Sequence, residues 1–268
     1  MSLFSIHLGY VLGSLPMAER FTRARALGFR AVEIPFPYET PAAEYAAHLR
    51  DSGLQQISMG APTTDYRKGV PGLAIDPARR DDFVRSLDMA IAYAGIIGAP
   101  AIHVFSGSRN PALSDAIMAA TYRENLVLAA EALGRAGIAT LIEPINSIDF
   151  PGYFLDSLAE ARRVVADIGR ADVGLIFDIY HVRMMGEDPA AALAAACNDI
   201  RHVQFADFPG RHEPGSGTLD FAAIIAAMRT AGYVGTAGLE YIPTRAPGEP
   251  LLLPAALAEY ANLDARPA

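Results

Sequence analysis

Thr140-Leu141-Ile142-Glu143-Pro144 is a short β-branched and aliphatic run that ends on an acid and meets a proline. The proline pushes the residue before it out of the helical region, so Glu143 stays extended at the end of a strand. The same construction returns three times. Val173-Gly174-Leu175-Ile176-Phe177 leads into Asp178, His202-Val203 into Gln204, and Thr236-Ala237-Gly238-Leu239 into Glu240. Strands that alternate with helices form a parallel sheet, and closing that sheet into a barrel puts all their C-terminal ends on one face. Four oxygen-bearing side chains then converge on one spot.

Further strands are read at residues 4–8, 31–34, 55–59 and 101–105, ahead of those at 140–142, 173–177, 202–205 and 236–239. Helical stretches with apolar residues at three- and four-residue spacing lie between them. The clearest, 119–135, carries Leu126, Ala129, Ala130 and Leu133 on one stripe. Helices that stop at Gly53 and Gly98 have the residue that best adopts a left-handed cap. Eight strand–helix units of about 30 residues each predict an α/β protein, a (β/α)8 TIM barrel. It forms a single domain over 1–268, with a C-terminal helical extension at about 250–268 in which 254–264 reads as one helix. An open doubly wound sheet is the alternative. Eight units, and no Gly-x-Gly-x-x-Gly after the first strand, speak against it.

Half of the chain is hydrophobic (51%) and 19% is charged, enough for a substantial core, and no apolar run reaches the length of a membrane span. The N-terminus lacks the basic head and apolar stretch of a signal peptide. The single cysteine, Cys197, permits no internal disulfide, so a cytoplasmic location is expected. A net charge of −8 argues against a general nucleic-acid binder while leaving room for a small anionic substrate. Assembly into a homo-oligomer is left open.

Any one strand-end acid has an ordinary reading as a salt-bridge partner, but four on consecutive strands make coincidence harder to sustain. If Gln204 binds through its carbonyl, Glu143, Asp178, Gln204 and Glu240 offer oxygen donors only, a set that suits Mg²⁺ or Mn²⁺ better than Zn²⁺. His181 lies in the loop after Asp178 and is placed to polarise a substrate oxygen above the metal, with a surface position as the competing reading. His7 and His103 fall near strand ends and are candidates to line the pocket. His202 shares the strand face of Gln204, one layer lower. Arg211 and His212 stand in a glycine-rich loop after the seventh strand, where barrels commonly bind anions. Residue types alone favour a solvated loop there. The long connection 60–80 is a candidate lid. No Walker loop, His-Glu-x-x-His helix or Gly-x-Ser-x-Gly elbow is present.

Longer motifs now add a resemblance. Residues 141–146 (Leu-Ile-Glu-Pro-Ile-Asn) with Phe150-Pro151-Gly152, residues 177–181 (Phe-Asp-Ile-Tyr-His), 202–207 continuing to 209–217, and Gly238-Leu239-Glu240-Tyr241 resemble the hydroxypyruvate isomerase family of xylose isomerase-like barrels. Gly28-Phe29 and Phe36-Pro37-Tyr38 fit as well, so the similarity spans nearly the whole chain. The resemblance implies that Glu143, Asp178, Gln204 and Glu240 bind the metal, that Glu143 and Glu240 flank the substrate as acid/base residues, and that His181 contacts its oxygens. It implies an enzyme of carbohydrate metabolism, an intramolecular oxidoreductase of the aldose–ketose type that converts hydroxypyruvate to tartronate semialdehyde. Proton removal beside a carbonyl gives an enediolate whose charge a divalent cation stabilises.

One position departs from the pattern. Many relatives are expected to carry a basic residue two positions after the last Glu, where this chain has Ile242. Arg211 is the candidate to replace it. Four-carbon 2-oxo sugar acids, or epimerisation of a neutral ketose, are therefore alternative substrates on the same site. The same barrel superfamily includes apurinic-site endonucleases, which resemble it in fold but use a histidine-rich multi-zinc cluster. Six histidines in all, a glutamine among the ligands and the acidic charge count against that hydrolase. A sugar-acid binder without turnover is the non-enzymatic alternative.

Overall fold

All eight expected strands are present, at β1 Phe4–His7, β2 Ala31–Glu33, β3 Gln55–Gly60, β4 Ala101–His103, β5 Ala139–Ile142, β6 Val173–Asp178, β7 Ile200–Phe205 and β8 Thr236–Leu239. The computed structural model describes residues 4–63, 72–246 and 249–261. The strands pair in parallel in chain order, and β8 returns to β1 to close the barrel, with Phe4 opposite Ala237. Between β6 and β7 the register sets Asp178 against Gln204, and between β7 and β8 it sets Gln204 against Gly238. The backbone N–H of Glu240 still reaches the Phe205 carbonyl at 3.1 Å, so the acid just past β8 stands at the level of the strand ends before it.

The helices bury their apolar stripes against this barrel. They are α1 Met17–Ala26, α2 Ala42–Ser52, α3 Arg80–Ile97, α4 Asp115–Arg135, α5 Leu158–Ile168, α6 Ile179–Met184, α7 Pro189–Ala196, α8 Phe221–Thr230 and α9 Ala255–Ala261. The stripe Leu126, Ala129, Ala130 and Leu133 on α4 is fully enclosed, each residue at 0% exposure. This helix starts four residues before the expected 119, because Ser114 caps it by accepting the Ile117 N–H at 3.3 Å. Gly53 and Gly98 close α2 and α3 at φ 65° and 70°, where a Cβ would be strained.

Three local differences bear on the site. The segment after Asp178, read as a loop, is the short helix α6, since Asp178 Oδ1 accepts the N–H groups of Tyr180 at 2.7 Å and His181 at 3.2 Å. β4 ends two residues sooner than expected, and Phe105 turns into the barrel mouth, where it stacks on His103 with ring centroids 3.8 Å apart. Of the 60–80 connection, residues 64–71 lie outside the described residues. Its later part forms two 3-10 turns, Leu73–Ile75 and Pro77–Arg79. The first of these is buried, and Asn125 on α4 donates to the Ala74 carbonyl at 3.0 Å. In the terminal extension α9 packs beside α8 and sets Tyr260 on Phe4 at the start of β1, with centroids 6.3 Å apart, while 262–268 lie outside the described residues. Among the described residues no helix is long and apolar enough to cross a membrane.

Candidate active site

The barrel mouth gathers the four strand-end residues, all buried: Glu143 after β5, Asp178 ending β6, Gln204 on β7 and Glu240 after β8. A fifth residue, Glu33 at the end of β2, joins them and is absent from the sequence reading. Its Oε1 accepts the Ser5 hydroxyl at 2.7 Å, and its Oε2 accepts His202 Nε2 and Gln204 Nε2, both at 2.9 Å. A Cβ at Gly238 would fall 2.3 Å from Glu33 Oε1, so the glycine leaves room for this carboxylate to lie across β8. The signal in the sequence is an acid between Val32 and Ile34, in a strand of a barrel that buries both faces.

Glu33 decides how Gln204 is turned. A carboxylate only accepts, so the Gln204 amide must offer its nitrogen, and its Oε1 is left over. That oxygen is buried and has no partner. Burial pushes the Glu33 carboxyl up, but His202 beside it prevails and holds it below the usual range. His202 sits beneath Gln204 with its other nitrogen, Nδ1, 2.8 Å from Thr236 Oγ1.

Arg211 overturns the solvated-loop reading. It is 5% exposed, and its Nη2 donates to Asp178 Oδ2 at 2.6 Å and to Glu240 Oε1 at 2.9 Å. Its guanidinium carbon lies 4.7 Å from the Tyr10 ring centroid and 5.6 Å from that of Tyr180. Burial opposes the charge, but Asp178 and Glu240 outweigh it and keep the group protonated. Its neighbour His212 instead turns Nδ1 to the Ile242 carbonyl at 2.9 Å. Ile242 itself is 46% exposed, outside the acid cluster.

The three pocket histidines are buried. His181 Nε2 lies 3.8 Å from Glu143 Oε1 and 3.7 Å from Asp178 Oδ2, and His103 Nδ1 lies 3.6 Å from Glu143 Oε2. His7 Nδ1 accepts the N–H groups of Gly9 at 3.0 Å and Tyr10 at 2.8 Å. Burial pushes His7 and His181 down to about 4 and His103 to about 3, so all are neutral near pH 7. Glu143 is driven well above the usual carboxylate range by burial and then by Glu240 and Asp178, and burial raises Glu240 to about 8.

Glu33, Glu143, Gln204, Glu240, Arg211 and the three histidines line a cavity of about 490 Å³ whose walls are largely apolar, with Phe36, Met59, Phe105, Phe150 and Tyr153 among them. The donor set fits a divalent cation. Carboxylates dominate it, and Gln204 Oε1 is buried without a partner. Glu143, Asp178 and His181 offer atoms that all lie within 4.8 Å of one another.

Barrel and site can now be set beside known proteins. The model of the xylose isomerase-like TIM barrel family matches residues 21–259. A 2-oxo-tetronate isomerase of Cupriavidus necator is 40% identical over 91% of this chain and 94% of its own. The hydroxypyruvate isomerase of Escherichia coli is 32% identical over the same shares, 91% and 94%. The crystal structure of a protein named AP endonuclease, family 2, from Brucella melitensis superposes with a TM-score of 0.90 at 32% identity, covering 97% of this chain and 99% of that one. The chain belongs to the xylose isomerase-like TIM barrel family. Within that family it is an isomerase, as its curated relatives are.

Proposed function

We propose that this protein is a divalent-metal-dependent isomerase that moves the oxo group of a small 2-oxo-3-hydroxy acid to the neighbouring carbon through an enediolate. The observation that carries the reading is a pair of buried carboxylates, Glu143 and Glu240, on strands three places apart around the mouth, with the unpartnered Gln204 oxygen between them. Glu143, Asp178, Gln204 and Glu240 would hold the cation. Bound there, it would supply a positive charge that stabilises the enediolate and fix two substrate oxygens on one side.

The protein's own residues do the rest. One of the two glutamates takes the proton from C3, and either that residue or its counterpart delivers a proton to C2. The C3–H and O3–H bonds that break are matched by the C2–H and O2–H bonds that form as the carbonyl shifts from C2 to C3, the hydroxyl proton passing from O3 to O2, with no external oxidant. Arg211, set against the Tyr10 and Tyr180 rings, would supply a fixed positive charge for the substrate carboxylate. His103 and His7, both neutral, can exchange hydrogen bonds with hydroxyl groups without adding charge. The apolar walls keep water from the enediolate and strengthen each electrostatic contact.

A four-carbon 2-oxo sugar acid is the first reading of the substrate. The relative at 40% identity is a 2-oxo-tetronate isomerase, and about 490 Å³ leaves room for a fourth carbon. The isoleucine at 242 puts no charge at the position where a basic residue was expected. Hydroxypyruvate is the second reading, supported by the relative at 32% identity. The two share their chemistry at C2 and C3. An endonuclease reading, suggested by the name of the Brucella protein, finds a net charge of −8 and, among the described residues, a single histidine in the possible metal group. The lone cysteine fits a cytoplasmic enzyme. The test is kcat/KM of the Mn²⁺-loaded enzyme on 2-oxo-tetronate and on hydroxypyruvate, side by side. A higher value for the four-carbon acid is expected; preference for hydroxypyruvate reverses the order, and turnover of neither rejects this substrate class.

A further inference from the structure

His181 brings its ring into the mouth from the first turn of α6, and what it can do there depends on which nitrogen carries the proton. Two donors converge on Nδ1. The Asn146 side-chain Nδ2 stands 2.6 Å away and the Asn146 backbone N 3.4 Å away. The side-chain amide is fixed from both ends. Its Oδ1 accepts the N–H groups of Ile148 at 3.1 Å and Asp149 at 2.8 Å, while Nδ2 also donates to Asp149 Oδ2 at 3.2 Å. Turning the amide over would set its oxygen against that carboxylate and its NH2 against two backbone N–H groups. The backbone donor has no second orientation. Asn146 is fully enclosed, at 0% exposure, so solvent does not compete for these contacts.

A nitrogen that accepts two N–H groups cannot carry a proton itself. This excludes the Nδ1–H tautomer and the doubly protonated ring alike, and leaves the proton on Nε2. Nε2 is the atom that faces Glu143 Oε1 at 3.8 Å and Asp178 Oδ2 at 3.7 Å.

We propose that Asn146 is a positioning residue that locks His181 as the Nε2–H tautomer, so that His181 donates to a substrate oxygen and takes no place among the metal's ligands. A ligating imidazole needs a free lone pair on the facing nitrogen, and here that position is occupied by hydrogen. Although His181 lies close enough to Glu143 and Asp178 to complete a metal group, Gln204 Oε1 is buried without a partner and free to take that place. A neutral imidazole donating to a carbonyl oxygen is an effective electrophile in proton transfer beside that carbonyl. Only this last role rests on the isomerase reading.

The experiment is long-range proton–nitrogen correlation NMR on protein labelled with ¹⁵N-histidine, without metal or substrate and then with Mg²⁺, the His181 signals being assigned by their loss in His181→Gln. An unprotonated Nδ1 and a protonated Nε2 are expected in both samples; a proton on Nδ1 in either overturns the proposal. Asn146→Asp keeps the oxygen that accepts from Ile148 and Asp149 but replaces the donor to His181 by an acceptor, so Nδ1 should become protonated. Asn146→Ser is the second variant should the first fail to fold, since a hydroxyl can keep the turn without reaching the ring. It should depopulate the Nε2–H form. An unchanged tautomer in a folded variant overturns the role of Asn146. In the kinetic arm, kcat should fall about 100-fold with KM little changed, the scale of losing one pre-aimed donor. A moved tautomer with kcat unchanged overturns the donor role of His181. A wrong substrate would leave the NMR result standing, so the two readings fail separately.

Discussion

Gln204 gives its amide nitrogen to the Glu33 carboxylate at 2.9 Å, which leaves its amide oxygen buried without a partner on β7. A partner outside the ligand set that orients a ligand typically matters 10–100-fold in metal affinity. Glu33→Gln should therefore weaken Mn²⁺ binding by about 10- to 100-fold, measured by titration calorimetry. In a Gln204→Ala background the same change should have almost no further effect, because the residue it acts through is gone. Equal losses in both backgrounds would mean that Glu33 acts on the cation by another route.

Glu143→Gln and Glu240→Gln keep shape and remove the charge. Each should lower kcat by about 100- to 10,000-fold, the range of a positioned acid or base. Glu143→Gln should not lower the melting temperature of the metal-free protein, because an amide replaces a carboxyl that burial, Glu240 and Asp178 already keep from ionising. Thermal melts by circular dichroism alongside steady-state rates separate the two effects. A variant that loses activity only in proportion to lost folded protein would show that the carboxylate is structural.

The elevated carboxyls also set a pH dependence. Burial holds Glu143 well above the usual range and Glu240 at about 8, so in the metal-free fold they keep protons that the unfolded chain has already released. Their contribution to stability is full below the unfolded value and is lost as pH rises through the folded value. His7, His103 and His181 are already neutral there, so the metal-free melting temperature should fall between about pH 7 and 8. A cation requires both carboxylates ionised, so its affinity should rise over the same interval with release of protons. Calorimetry of Mg²⁺ binding in buffers of different ionisation enthalpy counts those protons, and a pH-independent affinity would contradict the assignment of these two ligands.

The loop that presents Arg211 is held by one side chain. Asp207, fully buried, accepts Phe208 N at 2.8 Å and Leu219 N at 3.1 Å on Oδ1, and Gly215 N at 2.7 Å and Gly217 N at 2.9 Å on Oδ2. Asp207→Asn would turn an NH2 group against two of those donors, and each buried group left unsatisfied costs about 1–3 kcal/mol. Urea denaturation should show a loss of about 2–6 kcal/mol, with activity falling further than Asp207→Asn reduces folded protein, because Arg211 loses its place. A loss within about 0.5 kcal/mol would show that the loop is held by other contacts.

The barrel is legible in the sequence because its evidence is local. Each strand is a short apolar run, each helix a periodic stripe, and proline fixes the extended end at Glu143. The mouth is legible as far as it follows from the strand ends, which place Glu143, Asp178, Gln204 and Glu240 on one face. Glu33 is not legible in that way. Its meaning comes from Ser5 on β1, His202 and Gln204 on β7 and the gap at Gly238, which only the closed barrel brings together. Asn146 stands inside a recognisable motif, but its partner His181 lies 35 residues later. Arg211 is a candidate in the sequence, but the burial of its loop is misread for a physical reason. Glycine, proline and histidine suggest a solvated turn, and the buried Asp207 that folds this turn inward looks from sequence like one more loop acid.

Metal-dependent proton transfer at C3 is the centre of the proposed function, and proton NMR in heavy water tests it most directly. The metal-stripped protein is mixed with 2-oxo-tetronate, and in parallel with hydroxypyruvate, before and after Mg²⁺ or Mn²⁺ is restored. The expected result is loss of the C3 proton signal and growth of isomer signals only once the metal is present, with Glu143→Gln and Glu240→Gln silent in both conditions. Exchange at the same rate with and without metal, or no exchange on either acid with the metal shown to be bound, would contradict it.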